Sequence, residues 1–251
     1  MFGMRVSNVL ITGANRGLGL EFVKQFINLP SPPNFVFATC RDPSKAENLQ
    51  QIAKSNPTVK VLQIDVKDEK SFPEIRKQLE HNIGPIGLNL LINNAGIAIH
   101  TNVDNVTKEA MMENFEVNTV SPLLLSKELL PLLKTAASKY GNDDLSCSRA
   151  AIVNITSQLG SISENTDGDI YSYRASKAAL NMVTKSLSVD LKPHGILCFL
   201  LHPGWVQTDM GGESALITPS TSVCGMMNTI LQAKEKHCGL MFNYDGKLIP
   251  W

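Results

Sequence analysis

The feature that most constrains the fold is a short apolar run, Val9-Leu10-Ile11, that leads directly into a glycine-rich turn. Glycines stand at 13, 17 and 19, and apolar residues at 20, 23, 26 and 27 then follow at helical spacing. A strand, a tight glycine turn and a helix in this order predict that free N–H groups at the helix start bind a pyrophosphate. The residues expected to contact it are Gly13, Asn15, Arg16, Gly17, Leu18 and Gly19. The turn lacks the Gly-Lys-Ser/Thr ending of a P-loop, which argues against a nucleoside triphosphatase.

Apolar segments recur along the chain, with helical or loop sequence between them. They cover 8–12, 35–39, 59–64, 88–93, 150–156 and 195–201, and the sequence from Phe242 onward is typical of a last edge strand. Such alternation predicts an α/β fold, a doubly wound Rossmann fold with a parallel sheet of about seven strands and helices on both faces. No repeat or linker divides the sequence, so we expect residues 1–251 to form a single NADP-binding domain.

The end of the second predicted strand, Cys40-Arg41-Asp42, bears on which dinucleotide is bound. NAD enzymes of this architecture usually place an acid here to hydrogen-bond the adenosine ribose. Cys40 stands at that position and Arg41 follows it, while Arg16 lies in the glycine turn. Two guanidinium groups suit a 2′-phosphate, so the sequence favours NADP(H), although either arginine could be ordinary surface charge. Asp42, with Pro43 after it, is predicted to cap a helix.

The other strand ends supply the remaining predicted cofactor contacts, because ligands of open α/β sheets bind beyond the carboxyl ends of the strands. Asp65 and Val66 end the third strand and are expected to contact the adenine, although Asp65 could instead cap the next helix. Small residues after the fourth strand allow close backbone approach, and the loop after the sixth strand is expected to bind the nicotinamide end. These residues are Asn94, Ala95 and Gly96 in the first loop and Pro203, Gly204, Val206 and Thr208 in the second.

A catalytic group is predicted by Tyr173 and Lys177, which stand four residues apart in a segment with helical spacing. Residues i and i+4 share a helix face, so the Lys177 ammonium can approach the Tyr173 phenol, and Ser157 lies one loop upstream. A free phenol titrates near ~10 and a neighbouring cation favours its ionised form, so we expect Lys177 to lower the pKa of Tyr173 and make it a general acid. This spacing also occurs on ordinary solvated helix faces, so the interpretation depends on the other motifs.

Two further residues compete for a catalytic role. Tyr171 is a second phenol, but four residues beyond it stands Ala175 rather than a lysine. His202 has no evident partner acid and precedes Pro203-Gly204, which is typical of a structural histidine. Both are left out of the predicted chemistry.

Charge and cysteine content exclude other classes of function. The 23 basic and 23 acidic side chains balance, so no net charge attracts nucleic acid or an anionic membrane. Charged residues interrupt the most apolar stretch, 122–133, so no segment is expected to span a bilayer. The five cysteines have no metal-type spacing and their number is odd, which predicts no metal site, no disulfide framework and a cytoplasmic location.

Taken together, these motifs resemble the short-chain dehydrogenase/reductase family over essentially the whole chain. The motifs appear in the expected order: Thr12–Gly19, Asn93–Gly96, Asn118, Ser157, Tyr173 with Lys177, and Pro203-Gly204. Finer details, including the segments 186–191, 202–206, 208–212 and 243–246, are similar to the sniffer-like carbonyl reductases, a cytosolic NADPH-dependent branch that is also similar to bacterial C-factor proteins.

The resemblance implies an NADP-dependent carbonyl reductase that acts on CH–OH groups and their carbonyl counterparts. Tyr173 would protonate the substrate oxygen, Ser157 would hydrogen-bond it, and Lys177 would also hold the nicotinamide ribose. Asn118 would position a water that passes protons to Lys177. The helices that carry Asn118 and Tyr173 commonly form a dimer face in this family, so a homodimer is expected.

The substrate and the class of function are less constrained by the sequence. Loops after the fourth, fifth and sixth strands place Ile97, Leu159, Trp205 and Met210 at the predicted substrate mouth, which favours apolar aldehydes, ketones or quinones. Trp205 and Met210 could equally fold a lid onto the core. Two rival functions remain: a non-catalytic NADPH-binding regulator, which would not need the catalytic residues together, and a Rossmann-like methyltransferase, which would not need Arg41.

Overall fold

A computed structural model of the protein describes residues 6–139 and 144–251. Eight strands form one sheet within this part of the chain. They are β1 (Asn8–Ile11), β2 (Phe35–Cys40), β3 (Val59–Gln63), β4 (Leu90–Asn93), β5 (Ala151–Ile155), β6 (Leu197–His202), β7 (Met241–Asn243) and β8 (Leu248–Ile249). The six strands predicted from apolar runs are confirmed, and their ends differ from the predicted ones by at most two residues.

The sheet has the strand order β3-β2-β1-β4-β5-β6-β7-β8. Strands β1 to β7 pair in parallel, whereas β8 turns back to pair antiparallel with β7. The predicted last edge strand is therefore a short hairpin, which raises the strand count from about seven to eight. The chain runs outward from β1 to β3 and then crosses to β4 on the other side of β1, so the strand order reverses between β1 and β4 and the crevice beyond these two strands is the expected ligand site.

Seven α-helices connect the strands in the described part of the chain. They are α1 (Gly17–Ile27), α2 (Glu47–Ser55), α3 (Phe72–Ile83), α4 (Lys108–Phe115), α5 (Ser121–Ser138), α6 (Tyr171–Leu191) and α7 (Pro219–Gln232). None of these helices is both long and apolar enough to cross a membrane. The predicted N-cap Asp42 accepts a hydrogen bond from the Ser44 N–H at 3.1 Å, but it caps a short 3₁₀ turn, Pro43–Lys45, that precedes α2.

Buried apolar side chains lie on both faces of the sheet, which is why the central strands are almost continuously apolar. In β1 all four residues are buried, and successive side chains point to opposite faces. Val9 and Ile11 belong to one core cluster and Leu10 to the other. Helices therefore cover both faces and leave the strand ends free to carry the site.

Candidate active site

The glycine turn after β1 is packed too closely to admit side chains at two positions. A Cβ atom added at Gly19 would overlap the carbonyl oxygen of Gly13 and lie 2.8 Å from Nδ2 of Asn94. Gly13 itself has φ of 66°, and a Cβ atom there would lie 3.1 Å from Cα of Ala95. Asn94 donates from Nδ2 to the Thr12 carbonyl at 2.8 Å, so this amide ties the loop after β4 to the glycine turn.

The start of α1 is free to receive an anion. No side chain in the described residues caps its first turn, and that turn contains no acidic residue. Backbone N–H groups at a helix N-terminus that lack intrahelical partners bind phosphate well, helped by the positive end of the helix dipole. The geometry therefore fits a dinucleotide whose pyrophosphate lies against Gly17 and Leu18.

The two arginines predicted to bind a 2′-phosphate have different surroundings. Arg16 forms an ion pair with Asp209, a residue of the loop after β6, and both side chains are 71% exposed. Arg41 is exposed and forms no ion pair with any residue in the described ranges. Sequence reasoning missed Asp209 as the partner of Arg16, because nothing in its local spacing indicates a contact across 193 residues.

Asp65 and Thr208 occupy positions that refine the predicted contacts. Oδ1 of Asp65 accepts a hydrogen bond from the Lys67 N–H at 3.0 Å, so the residue forms a local turn and does not cap α3. The Thr208 hydroxyl accepts from the Gly211 N–H at 3.2 Å. A Cβ atom added at Gly17 would lie 3.4 Å from the Thr208 methyl carbon, so the loop after β6 passes over the glycine turn.

Ser157, Tyr173 and Lys177 converge as the sequence predicts. Ser157 follows β5 and is buried, whereas Tyr173 and Lys177 lie on the first turns of α6. The Lys177 ammonium lies 5.7 Å from the centroid of the Tyr173 ring and donates to the Ile155 carbonyl at 2.9 Å. The Ser157 hydroxyl lies close enough to the Tyr173 phenol to contribute to its pKa. A phenol, a hydroxyl and an amine thus meet at the carboxyl end of β5.

The predicted direction of the Tyr173 pKa is wrong in this structure. Burial raises the pKa of Tyr173 to about 12, and the hydrogen bond with Ser157 is the contribution that lowers it. Burial also lowers the pKa of Lys177 to about 8, because the charged ammonium loses solvation. The expectation from helical spacing failed because it counted the approach of Lys177 and neglected the desolvation of both groups.

Asn118 lies in a π-helical turn, Glu116–Val120, between α4 and α5. Its buried amide accepts from the Ile97 N–H and donates to the Ile97 carbonyl, both at 2.9 Å, and also donates to the Ser176 hydroxyl at 3.0 Å. A Cβ atom added at Gly96 would lie 3.0 Å from Oδ1 of Asn118 and 3.6 Å from Nζ of Lys177. Gly96 therefore lies where Asn118 and Lys177 approach each other.

The predicted substrate residues lie on loops around this group. Trp205 and Met210 are 51% and 49% exposed, so they do not fold onto the core. The Trp205 indole donates to the Gly211 carbonyl at 2.8 Å, which fixes the ring on the loop after β6. Ile97 and Leu159 are half-buried on the loops after β4 and β5. The four side chains therefore lie at or near the surface on three different loops.

The family of the chain follows from its sequence similarity to known proteins. The sequence profile of the short chain dehydrogenase family matches residues 7–216, which is most of the chain. The chain belongs to the short-chain dehydrogenase family. Its fold is the one that the resemblance implied.

Several solved carbonyl reductases are similar to this short-chain dehydrogenase. Carbonyl reductase Sniffer of D. melanogaster has 45% sequence identity and a TM-score of 0.97, over 98% of this chain and 100% of that chain. The NADPH-bound carbonyl reductase from chicken fatty liver has 45% identity and a TM-score of 0.94, again over 98% of this chain and 100% of that chain. The C-signal protein of Myxococcus xanthus is 40% identical over 169 residues, which cover 67% of this chain and 94% of that protein.

His202 of this short-chain dehydrogenase ends β6 and is half-buried. Burial lowers the pKa of His202 to about 4, and its Nδ1 has no hydrogen-bond partner in the described part of the chain. The ring is therefore neutral at pH 7. This agrees with its exclusion from the predicted chemistry.

Acid should destabilise the fold through His202. Between pH 6.5 and about 4, the His202 imidazole binds a proton in the unfolded state but not in the folded state. The free energy of unfolding therefore falls as the pH decreases through this range. His202 contributes at most about 3 kcal/mol to this fall. We expect His202→Gln to flatten this fall. Urea denaturation at pH 7 and pH 4.5 measures it, with the exposed His100→Gln as the control for loss of one histidine. If the free energy of unfolding fell equally between pH 7 and pH 4.5 in wild type and in His202→Gln, the lowered pKa of His202 would be contradicted.

Proposed function

We propose that the protein is an NADPH-dependent carbonyl reductase that converts aldehydes, ketones or quinones to alcohols, with Tyr173 as the general acid. The observation that carries the proposal is the convergence of Ser157, Tyr173 and Lys177 beside a glycine turn shaped for a dinucleotide. A non-catalytic NADPH-binding protein would have no use for this group. The relatives support the proposal, since two of them are carbonyl reductases and one of these binds NADPH.

The raised pKa of Tyr173 is compatible with this role. A phenol of pKa about 12 is protonated at neutral pH, so the proton is always available for transfer. The oxygen of a reduced carbonyl becomes an alkoxide, whose conjugate acid is comparable to water with a pKa near ~15.7. Proton transfer from Tyr173 to that oxygen is therefore downhill, and the acid needs no further tuning for reduction.

Each remaining residue has a separate task in the proposed reaction. Bound NADPH supplies the hydride to the carbonyl carbon. The Ser157 hydroxyl donates a hydrogen bond to the same oxygen that Tyr173 protonates, which stabilises its developing charge. Lys177 holds the nicotinamide ribose and returns a proton to Tyr173 after each turnover, and it regains that proton from a solvent water that Asn118 positions. The position of Gly96 supports this route, since a Cβ atom added there would lie within 4 Å of both Asn118 Oδ1 and Lys177 Nζ.

The cofactor assignment rests on Arg16 and Arg41. The exposed guanidinium of Arg41 lies at the end of β2, where the ribose of a dinucleotide is bound in this architecture. Arg16 must exchange Asp209 for a 2′-phosphate, and this exchange is easy because an exposed ion pair contributes little free energy. Bidentate contact with phosphate is stronger than that pair.

Replacing both arginines should change the cofactor preference. We expect Arg16→Ala with Arg41→Ala to lower the ratio of kcat/KM for NADPH to kcat/KM for NADH by at least about 100-fold, since each hydrogen bond to a charged group contributes about 1.5–3 kcal/mol and the double variant loses both guanidinium groups. Initial rates with both cofactors and one carbonyl substrate measure the ratio. Arg76→Ala on α3, whose guanidinium pairs with Glu128 instead, is the matched control. An unchanged ratio in the double variant would remove the phosphate assignment.

Turnover itself tests the main proposal. Purified protein is mixed with NADPH and a panel of quinones, aldehydes and ketones, and loss of nicotinamide absorbance is followed. Carbonyl-dependent loss supports the reductase. Tight NADPH binding without turnover on any member would favour the regulator, and absence of nicotinamide binding would favour the methyltransferase.

The assembly and compartment are part of the same proposal. Helices α4 and α6 pack together and expose large apolar side chains, Met112 and Phe115 on the first and Met182 and Val189 on the second. Such surfaces are typical of interfaces between copies of a chain.

All five cysteines are free thiols, which supports a reducing compartment such as the cytoplasm.

If the protein forms a homodimer through this surface of α4 and α6, one carboxylate introduced into the surface should dissociate the dimer. Val189 is 63% exposed on α6, and burying a carboxylate against its symmetry mate is unfavourable. We expect wild type to sediment as a dimer and Val189→Glu as a monomer. Leu216→Glu, at a 78% exposed residue outside α4 and α6, should stay dimeric. A monomeric wild type would refute the dimer.

A further inference from the structure

Helix α6 carries a third buried polar residue on the side where Tyr173 and Lys177 lie. Asn181 stands one helical turn beyond Lys177 and is only 3% exposed. Its Oδ1 accepts from the Thr156 hydroxyl at 2.6 Å, and its Nδ2 donates to the Gly160 carbonyl at 3.1 Å. Both ends of the amide are therefore used inside the protein, as a buried amide requires.

The two partners of Asn181 stand on either side of Ser157. Thr156 directly precedes Ser157, and Gly160 ends the 3₁₀ turn that follows it. The Gly160 N–H donates to the Ser157 carbonyl at 2.9 Å, and the Leu159 N–H donates to the Ser157 hydroxyl oxygen at 3.1 Å. One side chain of α6 thus holds both ends of the short segment that carries the Ser157 hydroxyl.

The same segment lies directly against the backbone of α6. A Cβ atom added at Gly160 would lie 2.8 Å from the carbonyl carbon of Lys177 and 3.0 Å from the nitrogen of Ala178. Lys177 adds a hydrogen bond from its ammonium to the Ile155 carbonyl at the end of β5. The contact brings the turn and the helix together, and Asn181 supplies the directional bonds that fix their relative position.

We propose that Asn181 is a positioning residue that holds the Ser157 hydroxyl against the Tyr173 phenol by bonding Thr156 and Gly160. The inference rests on the proposed function of Tyr173 as the acid. Without Asn181 the Ser157 segment can move relative to α6, and small displacements of a positioned catalytic group cost much of its rate. The hydrogen bond that lowers the Tyr173 pKa would weaken at the same time.

A neighbouring residue provides a matched control. Thr184 is also fully buried on α6, where its hydroxyl accepts from Nδ2 of Asn154 at 2.7 Å and donates to the Leu180 carbonyl at 2.8 Å. These bonds end within β5 and the helix itself and do not reach the Ser157 segment. Thr184→Val therefore reports the cost of losing a buried polar contact without a change at the site.

Two kinetic readouts distinguish positioning from a structural role. For Asn181→Leu, which keeps the number and branching of the side-chain heavy atoms and removes both bonds, we expect kcat for carbonyl reduction to fall about 10- to 100-fold while the Kd for NADPH stays within about threefold. In alcohol oxidation with NADP⁺, Tyr173 acts as the base and the rate rises with pH through its pKa. We expect the midpoint of that rise to move upward by about half a pH unit or more. Thr184→Val should lower the melting temperature and leave kcat and the midpoint unchanged.

Less drastic variants keep the test decisive if Asn181→Leu does not fold. Asn181→Asp retains the acceptor for Thr156 and loses the donor to Gly160, while Thr156→Val removes the other bond. Both should lower kcat and raise the oxidation midpoint, and their effects should be less than additive in the double variant, because the two bonds serve one position. If wild type is active and the Asn181 variants keep its kcat and its oxidation midpoint, the role of Asn181 is overturned while the proposed function stands. An inactive wild type would overturn the proposed function and this inference with it.

Discussion

The Tyr173→Phe variant should reduce carbonyl substrates with a kcat about 10³-fold below that of wild type. Phenylalanine keeps the ring and its packing and removes the one proton that the proposed reaction gives to the substrate oxygen. Because the Lys177 ammonium and the glycine turn remain, the Kd for NADPH should stay within a few-fold of wild type. Single-turnover rates and a fluorescence titration of NADPH measure the two quantities.

Tyr171→Phe is the matched control for this result. Tyr171 is the first residue of α6 and is 45% exposed, and four residues beyond it stands Ala175. Its phenol has no ammonium one turn away, so the variant should retain essentially full turnover. Retained activity in Tyr173→Phe, or a comparable loss in Tyr171→Phe, would move the general acid to another residue.

The fold could be predicted from the sequence because its signals are local. Buried parallel strands are continuous apolar runs, and the glycine turn after β1 has spacing that few other structures need. Each predicted strand therefore appears at its expected place. The short hairpin of β7 and β8 is the exception, because two strands of three and two residues carry too little apolar pattern to be separated.

The candidate site could be predicted less completely because part of it depends on distant contacts and burial. Tyr173 and Lys177 share a helix face, so their spacing alone brings them together. The pairing of Arg16 with Asp209 joins residues that are far apart in the chain, and no local pattern indicates it. The direction of the Tyr173 pKa depends on how much solvent the fold removes, which helical spacing does not report.

Replacing Gly19 with alanine should abolish tight NADPH binding. The added Cβ atom would overlap the Gly13 carbonyl oxygen and approach the carbonyl carbon of Gly13 and Nδ2 of Asn94 to 2.8 Å each. Two of these atoms belong to the backbone, and the third belongs to the Asn94 side chain, which is held by its hydrogen bonds to the turn. A rotamer change therefore cannot relieve the strain. The turn must open, and the N–H groups of α1 then lose the positions in which they would bind the pyrophosphate. We expect the Kd for NADPH to rise at least about 100-fold, which corresponds to roughly 3 kcal/mol.

Gly168→Ala separates this steric effect from the general cost of replacing a glycine. Gly168 has φ of 69° but no atom within 4 Å of an added Cβ, so alanine there introduces backbone strain of about 1–2 kcal/mol without a collision. It should lower the melting temperature by a few degrees and leave NADPH affinity unchanged. Because Asn94 donates to both the Thr12 and the Gly13 carbonyls, Gly19→Ala should also disturb the β4 loop that carries Gly96. Isothermal titration with NADPH measures both variants, and near-wild-type affinity in Gly19→Ala would show that the dinucleotide does not bind over this turn.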